Sequence, residues 1–272
     1  MTQHSELLTG TAALVTGGAR GLGRDMADAL RAAGARVVVA DIAPDPDTPP
    51  HPREIVVPAD IATPEGAELA VRTCTEAFGR IDLVVNNAGV LMRTAKARTG
   101  VTGRLDFWDC DADTIRFFLD VHAVGSFLVT KAALPAMRAQ GRGHIVTVTT
   151  SFSTMLGGGR TPYGPAKAAM EAFAAVMAED LAGTGITVNV LIPGHPVGGH
   201  VERGEERTPD GKRLVPRVPR GIMGPPIVWL ASPAADGVTG RRFIATHWDP
   251  ALPPERAAAA AGAPIAWASL DR

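Results

Sequence analysis

The residues best suited to chemistry are a tyrosine and a lysine that stand four positions apart. Tyr163 is the one tyrosine in the 272-residue chain, and Lys167 is one of four lysines. Positions i and i+4 of a helix share a face, so the phenol and the ammonium group are expected to be neighbours. A nearby positive charge lowers the pKa of a phenol from about 10 towards working pH. The pair therefore predicts an acid/base catalyst that exchanges a proton with a carbonyl or carbinol oxygen.

A glycine-rich segment near the start of the chain is typical of a phosphate-binding turn. It reads Thr16-Gly17-Gly18-Ala19-Arg20-Gly21-Leu22-Gly23 and lies between an apolar run and a helical pattern. Glycines permit the sharp turn, and the free amide groups at the start of the helix then face an anion. The residues predicted to bind the pyrophosphate of a dinucleotide are Gly17, Arg20, Gly21, Leu22 and Gly23.

A carboxylate at the end of the second apolar run indicates which dinucleotide is bound. Asp41 is placed to accept both hydrogen bonds of an adenosine ribose diol and to repel a 2′-phosphate. Arg20 is the opposing signal, because it could reach such a phosphate. The balance favours NAD(H) over NADP(H). Residues at the ends of the third and fourth runs are expected to meet the adenine edge (Asp60, Ile61) and the cofactor backbone (Asn87, Ala88, Gly89).

Together these motifs resemble those of the short-chain dehydrogenase/reductase family in its single-domain, NAD(P)-dependent form. The resemblance covers about residues 7–243 and rests on the glycine loop, Asp41, Asp60, Asn86–Gly89, Tyr163 with Lys167, Asn189 and Pro193-Gly194, in the family's order and spacing. It implies hydride transfer between a nicotinamide and a carbonyl or carbinol carbon. It also implies that Tyr163 exchanges the proton, that Lys167 holds the nicotinamide ribose, and that Pro193 and Gly194 lie against the cofactor.

Two positions depart from the family pattern close to the predicted chemistry. The family usually has a serine 13 residues before the tyrosine; that position is Thr150 here, and Ser151 follows it. Either hydroxyl could donate to the substrate oxygen. The family often has an asparagine for proton relay where this chain has His122. The imidazole either replaces the amide in that relay or is a packed helix histidine bonded to a backbone carbonyl.

The segment after Gly194 also departs from the pattern. It reads His195-Pro196-Val197-Gly198-Gly199-His200, and Pro196 has no N–H to offer the nicotinamide amide. Val197 is the best substitute for that contact. His195 and His200 have no metal-ligand spacing, so no metal site is predicted.

The elements that must position these residues follow an alternating pattern of strands and helices. Apolar runs at Ala12–Thr16, Arg36–Ala40, Ile55–Pro58, Ile81–Val85, Ile145–Thr150, Thr187–Ile192 and Phe243–Ala245 are predicted strands, and the helices are predicted at Arg24–Ala33, Pro64–Phe78, Asp111–Ala139, Pro165–Leu181 and Pro225–Leu230. Strands that are apolar on both faces and joined by helices indicate a parallel sheet covered on both sides. The fold class predicted is therefore α/β: a Rossmann-like, doubly wound parallel sheet in a three-layer α/β/α arrangement.

Length and loops bear on the domain organisation. A chain of 272 residues is at the upper end of the single-domain range, so residues 1–272 are predicted to form one NAD(P)-binding catalytic domain. Three stretches break the alternation: loop insertions at about 93–107 and 194–222, and a C-terminal tail at 248–272. Long irregular loops often bind ligands, so the substrate pocket is expected to be built from the two insertions.

Composition limits the partners. A net charge of −1 gives no electrostatic signature for nucleic acid, and no apolar run reaches the ~18 residues of a membrane span. Two cysteines are too few for a disulfide framework, so a cytoplasmic location is expected. A small-molecule carbonyl or alcohol is the expected partner. The family resemblance adds a homodimer or homotetramer built through the helices at Asp111–Ala139 and Pro165–Leu181.

The sequence thus predicts an NAD(H)-dependent alcohol dehydrogenase or ketoreductase. Two alternatives stay open. One is a 3-hydroxyacyl-thioester dehydrogenase, for which Arg93, Lys96 and Arg98 lie in a suitable loop to meet the phosphates of a CoA-like carrier. The other is a redox-silent regulatory protein that retains the fold and binds the cofactor.

Overall fold

An eight-stranded sheet forms the centre of the protein in a computed structural model that describes residues 6–47, 49–194 and 218–267. The strands are β1 Ala12–Thr16, β2 Arg36–Asp41, β3 Glu54–Pro58, β4 Leu83–Asn86, β5 Gly143–Val148, β6 Ile186–Ile192, β7 Arg241–Ile244 and β8 Gly262–Pro264. Their order across the sheet is β3-β2-β1-β4-β5-β6-β7-β8. All neighbours are parallel except β7 and β8, which are antiparallel.

The strand order reverses at β1, which pairs with β2 on one side and with β4 on the other. Val15 of β1 is opposite Val39 of β2 and also opposite Val85 of β4. In doubly wound sheets the connections leave the sheet in opposite directions at such a point, which opens a crevice at the carboxyl ends of the strands. The glycine loop follows β1 directly and therefore lies at this crevice.

Helices cover both faces of the sheet. The helices are α1 Gly21–Ala32, α2 Pro64–Phe78, α3 Met92–Thr99, α4 Ala112–Leu119, α5 Gly125–Gln140, α6 Phe152–Met155, α7 Tyr163–Asp180, α8 Gly224–Leu230 and α9 Pro254–Ala261. Successive side chains of a strand point to opposite faces, and β1 obeys this rule. Ala13 and Val15 join the core beneath α1 and α8, whereas Ala12 and Leu14 join the core beneath α2, α5 and α7. The predicted three-layer α/β/α fold is confirmed.

The long helix between β4 and β5 is continuous but not uniform. Its segments α4 and α5 are joined by a π-helical turn at Asp120–Val124. By length and composition alone, the whole helix Ala112–Gln140 would be long and apolar enough to cross a membrane, and 44% of its most apolar window is buried inside the protein. It packs against α2 and α7, as the core helix of a globular fold does.

Two of the irregular stretches contain more regular structure than the sequence predicts. The insertion predicted at about 93–107 begins with helix α3, which ends at Gly100 in a left-handed conformation with φ of 74°. The tail predicted from 248 contains α9 and then β8, which extends the sheet beside β7. Only residues 194 and 218–222 of the second insertion lie within the described part of the chain.

Candidate active site

The glycine loop is shaped by close backbone contacts. Gly17 has a φ of 63°, and a Cβ atom there would lie 2.7 Å from Ala88 Cα. A Cβ on Gly23 would lie 2.2 Å from the carbonyl oxygen of Gly17, so the first turn of α1 folds back onto the loop. Gly21, with φ of 59°, has nothing within 4 Å of its would-be Cβ. The loop thus has the left-handed turns and the open face that a pyrophosphate against the start of a helix needs.

The end of β4 holds this loop in place. Asn87 donates from Nδ2 to the carbonyl oxygens of Thr16 and Gly17, at 2.9 and 3.1 Å. The hydroxyl of Thr16 accepts from the backbone N–H groups of Asn87 and Ala88, at 3.0 and 3.1 Å. Asn87 and Ala88, predicted as cofactor contacts, therefore brace the phosphate loop from the neighbouring strand.

Asp41 lies at the end of β2 beside the same loop. Its carboxylate accepts from the backbone N–H of Ala19 at 3.1 Å and from that of Ala43 at 3.1 Å. The guanidinium of Arg20 is 3.9 Å from Asp41 and is 69% exposed, whereas Asp41 is only 5% exposed. The carboxylate is thus held by backbone donors, and the arginine is an exposed neighbour on the solvent side.

The residues predicted to meet adenine follow β3. Asp60 is exposed and accepts from the backbone N–H of Ala62 at 3.0 Å. Ile61 is buried and packs closely on Gly125, where a Cβ atom would lie 2.2 Å from Ile61 Cδ1. Asp60 is therefore free to meet a ligand, whereas Ile61 is largely occupied with the start of α5.

Tyr163 and Lys167 occupy the first two turns of α7. Lys167 is 4% exposed and donates from Nζ to the carbonyl oxygen of Val148 at 2.8 Å. Burial lowers the pKa of this ammonium group to about 7. Burial also raises the pKa of the half-buried Tyr163 phenol, and the Thr150 hydroxyl and the charge of Arg160 act in the opposite direction. The predicted lowering of the Tyr163 pKa by Lys167 is therefore wrong: burial raises this pKa, and the Lys167 ammonium group is bonded to the carbonyl oxygen of Val148 instead.

The two candidate hydroxyls at the end of β5 point to different partners. The strand ends at Val148, two residues earlier than the predicted Thr150. The Thr150 hydroxyl lowers the pKa of the Tyr163 phenol, against the effect of burial. Ser151 caps α6 instead, accepting from the backbone N–H of Thr154 at 3.3 Å and sharing a hydrogen bond with its hydroxyl at 2.9 Å. Of the two candidates, Thr150 is thus the hydroxyl that affects the pKa of the tyrosine.

His122 lies in the π-helical turn, fully buried and at the centre of an aromatic cluster. Its ring stacks on Phe118 at 5.8 Å and meets Tyr163 edge-on at 5.6 Å. Its Nε2 is 3.0 Å from the carbonyl oxygen of Val90 and 3.2 Å from the Val90 amide nitrogen. Burial, and then the charge of Lys167, hold the pKa of the imidazole well below its usual value. The ring has the backbone contact of a packed helix histidine, and a part in proton relay stays a prediction.

Glycines close the remaining walls of the crevice. A Cβ on Gly89 would lie 2.4 Å from His122 Cε1, so this predicted cofactor contact is also where the histidine ring packs. After β6 come Pro193 and Gly194; Gly194 has φ of 93°, and a Cβ there would lie 2.1 Å from the Thr246 hydroxyl. Val197 and the two histidines beside it lie outside the described residues. Within residues 6–47, 49–194 and 218–267, no three His, Cys, Asp or Glu side chains form a metal-binding group.

Sequence reasoning missed a buried polar network next to Thr150. Glu171 of α7 accepts from Arg242 of β7 at 2.9 Å and from the Thr149 hydroxyl at 2.7 Å. Arg242 also donates to the carbonyl oxygen of Thr150. Two signals were available: Glu171 stands four residues after Lys167 on the same helix, and Arg242 directly precedes the predicted strand Phe243–Ala245.

Comparison with known proteins agrees with this geometry. The family profile described as short chain dehydrogenase matches residues 11–202. The chain is 30% identical to a fluoren-9-ol dehydrogenase of Terrabacter sp., over 89% of this chain and 72% of that protein. It is 32% identical to a 3-oxoacyl-[acyl-carrier-protein] reductase of Synechocystis sp., over 87% and 95% of the two chains. It is 29% identical to an acetoacetyl-CoA reductase of Shinella zoogloeoides, over 86% and 95%. The chain therefore belongs to the short-chain dehydrogenase family, a family of NAD(P)-binding oxidoreductases.

Proposed function

We propose that the protein interconverts a secondary alcohol and a ketone by hydride transfer, with NAD(H) as the cofactor and Tyr163 as the acid/base. The observation that carries the proposal is the convergence of Tyr163, Thr150 and Lys167 at the end of β5, on the same edge of the sheet as the glycine loop. A carbonyl oxygen at this point has a phenolic proton and a second hydroxyl donor within one cluster.

The residues present fit the cofactor. The open face of the loop from Gly17 to Gly23 suits the pyrophosphate, and the fixed carboxylate of Asp41 suits the two hydroxyls of the adenosine ribose. A 2′-phosphate at the same point would meet the Asp41 charge, which favours NAD(H), whereas the neighbouring Arg20 opposes this choice. Lys167 is the expected donor to the nicotinamide ribose. When bound, the nicotinamide supplies or accepts the hydride.

Residues of the protein donate and accept the proton of this reaction. In ketone reduction the Tyr163 phenol donates its proton to the oxygen as negative charge develops there, and the Thr150 hydroxyl donates a hydrogen bond to the same oxygen. In alcohol oxidation Tyr163 accepts the proton. Lys167 lies one turn away on the same helix, buried and bonded to the Val148 carbonyl oxygen. Its role in the proposal is to hold the nicotinamide ribose.

Turnover with a labelled cofactor tests the proposal. The protein is incubated with NADH carrying deuterium at C4 and a panel of aliphatic, aromatic and cyclic ketones. The proposal predicts that deuterium appears on the carbinol carbon of at least one product. Cofactor binding without any turnover, in either direction and with either dinucleotide, would instead favour the redox-silent alternative.

A hydroxyacyl thioester is the second candidate substrate. It is favoured by the names of two relatives, a 3-oxoacyl-[acyl-carrier-protein] reductase and an acetoacetyl-CoA reductase. Against it, the guanidinium of Arg98 is already partly engaged: it lies 4.5 Å from the ring centre of Phe117, and its Nε is 3.4 Å from the Thr114 hydroxyl. Comparing acetoacetyl-CoA with an equally short free ketone separates the candidates, because a carrier-specific enzyme turns over only the thioester.

We further propose a cytoplasmic homodimer or homotetramer. Phe127 of α5 and Phe173 of α7 are 38% and 43% exposed, and their ring centres are 6.0 Å apart, so the two helices share an apolar outer face. Both cysteines, Cys74 and Cys110, are free thiols, which suits a reducing compartment. Light scattering on the intact protein and on a Phe173→Asp variant tests the assembly, and the charged variant is expected to be smaller.

A further inference from the structure

Two oppositely charged side chains are buried behind the predicted catalytic residues. Glu171 is 0% exposed and Arg242 is 4% exposed, and Arg242 Nε donates to Glu171 Oε1 at 2.9 Å. Such a pair is not needed for stability, because packed apolar residues of similar volume often serve as well or better. We therefore asked which residues of the candidate active site this ion pair holds in position.

The pair holds the segment that follows β5 at two points. Glu171 Oε2 accepts from the Thr149 hydroxyl at 2.7 Å, and the Arg242 guanidinium donates to the backbone carbonyl of Thr150. The Thr149 side chain and the Thr150 carbonyl are therefore both held, which restrains the backbone that carries the Thr150 side chain. The hydroxyl on this peptide is the one that lowers the pKa of the Tyr163 phenol.

The C-terminal segment closes this pair from the outside. The Phe152 ring lies 4.2 Å from the Arg242 guanidinium carbon, and Trp267 stacks on Phe152 with ring centres 6.0 Å apart. The neighbouring Ala266 has φ of 51°, a conformation that non-glycine residues rarely adopt. Glu171 thus has donors from Thr149 and Arg242, and both charged groups are shielded from water.

We propose that Glu171 and Arg242 are positioning residues that set the Thr150 hydroxyl against Tyr163. The catalytic meaning of this inference rests on the proposed function, but the placement of the hydroxyl does not. Precise sites depend on such supporting contacts, because a displacement of about 1 Å in a reacting group costs up to about a hundredfold in rate.

The single tyrosine permits a direct test. Tyrosine labelled with ¹³C at Cζ gives one NMR signal, whose chemical shift at pH 8 reports the hydrogen bonding of the Tyr163 phenol. The Thr150→Val variant shows how far the Tyr163 signal moves when the Thr150 hydroxyl is lost. The double variant Glu171→Leu/Arg242→Met removes both charges together and leaves neither buried alone. We expect it to move the signal in the same direction, and to add nothing further in the Thr150→Val background.

Turnover and a matched control complete the design. The double variant is expected to lose at least tenfold in kcat, with KM for the ketone and cofactor affinity within about twofold of wild type. Asp82 is a buried carboxylate at the opposite end of the sheet, where it accepts from Arg80 at 2.6 Å and from the Ala12 amide at 2.9 Å. Asp82→Asn should lower stability and leave both the Tyr163 signal and kcat unchanged.

The proposal can still be tested if the double variant fails to fold. If the double variant does not fold, Thr149→Val removes one hydrogen bond, keeps both charges, and is expected to give a smaller shift of the same sign. The inference is overturned if the Tyr163 signal does not move in Thr150→Val. It is also overturned if the signal does not move in the folded double variant or, where that variant does not fold, in Thr149→Val. Because the NMR measurement needs no turnover, a wild-type protein inactive on every substrate would refute the proposed function and leave this test readable.

Discussion

Lys167 is held in the folded protein at a cost in stability, and its removal should reveal that cost. The side chain is 4% exposed and has the Val148 carbonyl as a hydrogen-bond acceptor. Burial lowers its pKa from 10.5 to about 7. At about 1.4 kcal/mol per pH unit this difference corresponds to about 5 kcal/mol, and the lost hydrogen bond offsets about 1 kcal/mol of it. We expect Lys167→Met to be more stable than wild type at pH 6, by between about 1 and 4 kcal/mol.

The stability difference between Lys167→Met and wild type should depend on pH, and the direction follows from the pKa of Lys167. The folded-state pKa lies below the unfolded-state value, so the unfolded chain binds more protons between pH 7 and pH 10.5. The free energy of unfolding of the wild type should rise across this window, and the advantage of the variant should be complete below pH 7 and shrink above it. Urea unfolding of the cofactor-free protein at pH 6, 8 and 10, at one protein concentration, measures both effects through the four tryptophans.

A half-buried lysine on another helix supplies the control. Lys96→Met on α3 should change the free energy of unfolding by less than about 0.5 kcal/mol, and equally at the three pH values. A Lys167→Met variant that is less stable than wild type at pH 6, or a difference that does not vary with pH, would refute the reasoning. The same variant should lose turnover and cofactor affinity, since the charge beside Tyr163 and the ribose donor are both removed.

Two further predictions concern selectivity and the substrate hydroxyl. With Asp41 fixed beside the glycine loop, NAD(H) should bind at least tenfold more tightly than NADP(H), or about 1.4 kcal/mol, in a fluorescence titration; equal affinity would mean that Arg20 outweighs Asp41. Thr150→Val should reduce kcat at least tenfold whereas Ser151→Ala should mainly destabilise α6 by about 1 kcal/mol, because its hydroxyl is a helix cap; the reverse pattern in steady-state kinetics would move the substrate contact to Ser151.

Local patterns were sufficient to predict most of the fold. In β1 each residue is buried, and the alternation of Ala13 and Val15 against Ala12 and Leu14 feeds two cores, as an apolar strand between two helical layers requires. The glycine loop, Asp41 and the Tyr163–Lys167 pair are each set by residues close in sequence. Their placement at one sheet edge follows from parallel topology, which the alternation of strands and helices already predicts.

The remaining features depend on contacts between distant residues. Strand β8 is three residues long and exists because it pairs with β7, and α3 contains one buried residue, Ala95, so its apolar pattern is weak. Arg242 and its partner Glu171 are 71 residues apart, so no local pattern could reveal that they pair. The direction of the Tyr163 pKa was predicted wrongly because spacing shows a neighbouring charge but does not show how deeply a phenol is buried.

The central claim is that Tyr163 exchanges the proton during alcohol–ketone interconversion, and the Tyr163→Phe variant tests it most directly. The substitution keeps the ring that packs on His122 and removes the phenolic group alone. On the best substrate found in the panel, kcat should fall by at least a hundredfold, and the rise of alcohol oxidation with pH should disappear. Cofactor affinity should stay within about twofold of wild type. A Tyr163→Phe protein with near-normal turnover and an unchanged pH profile would contradict the account.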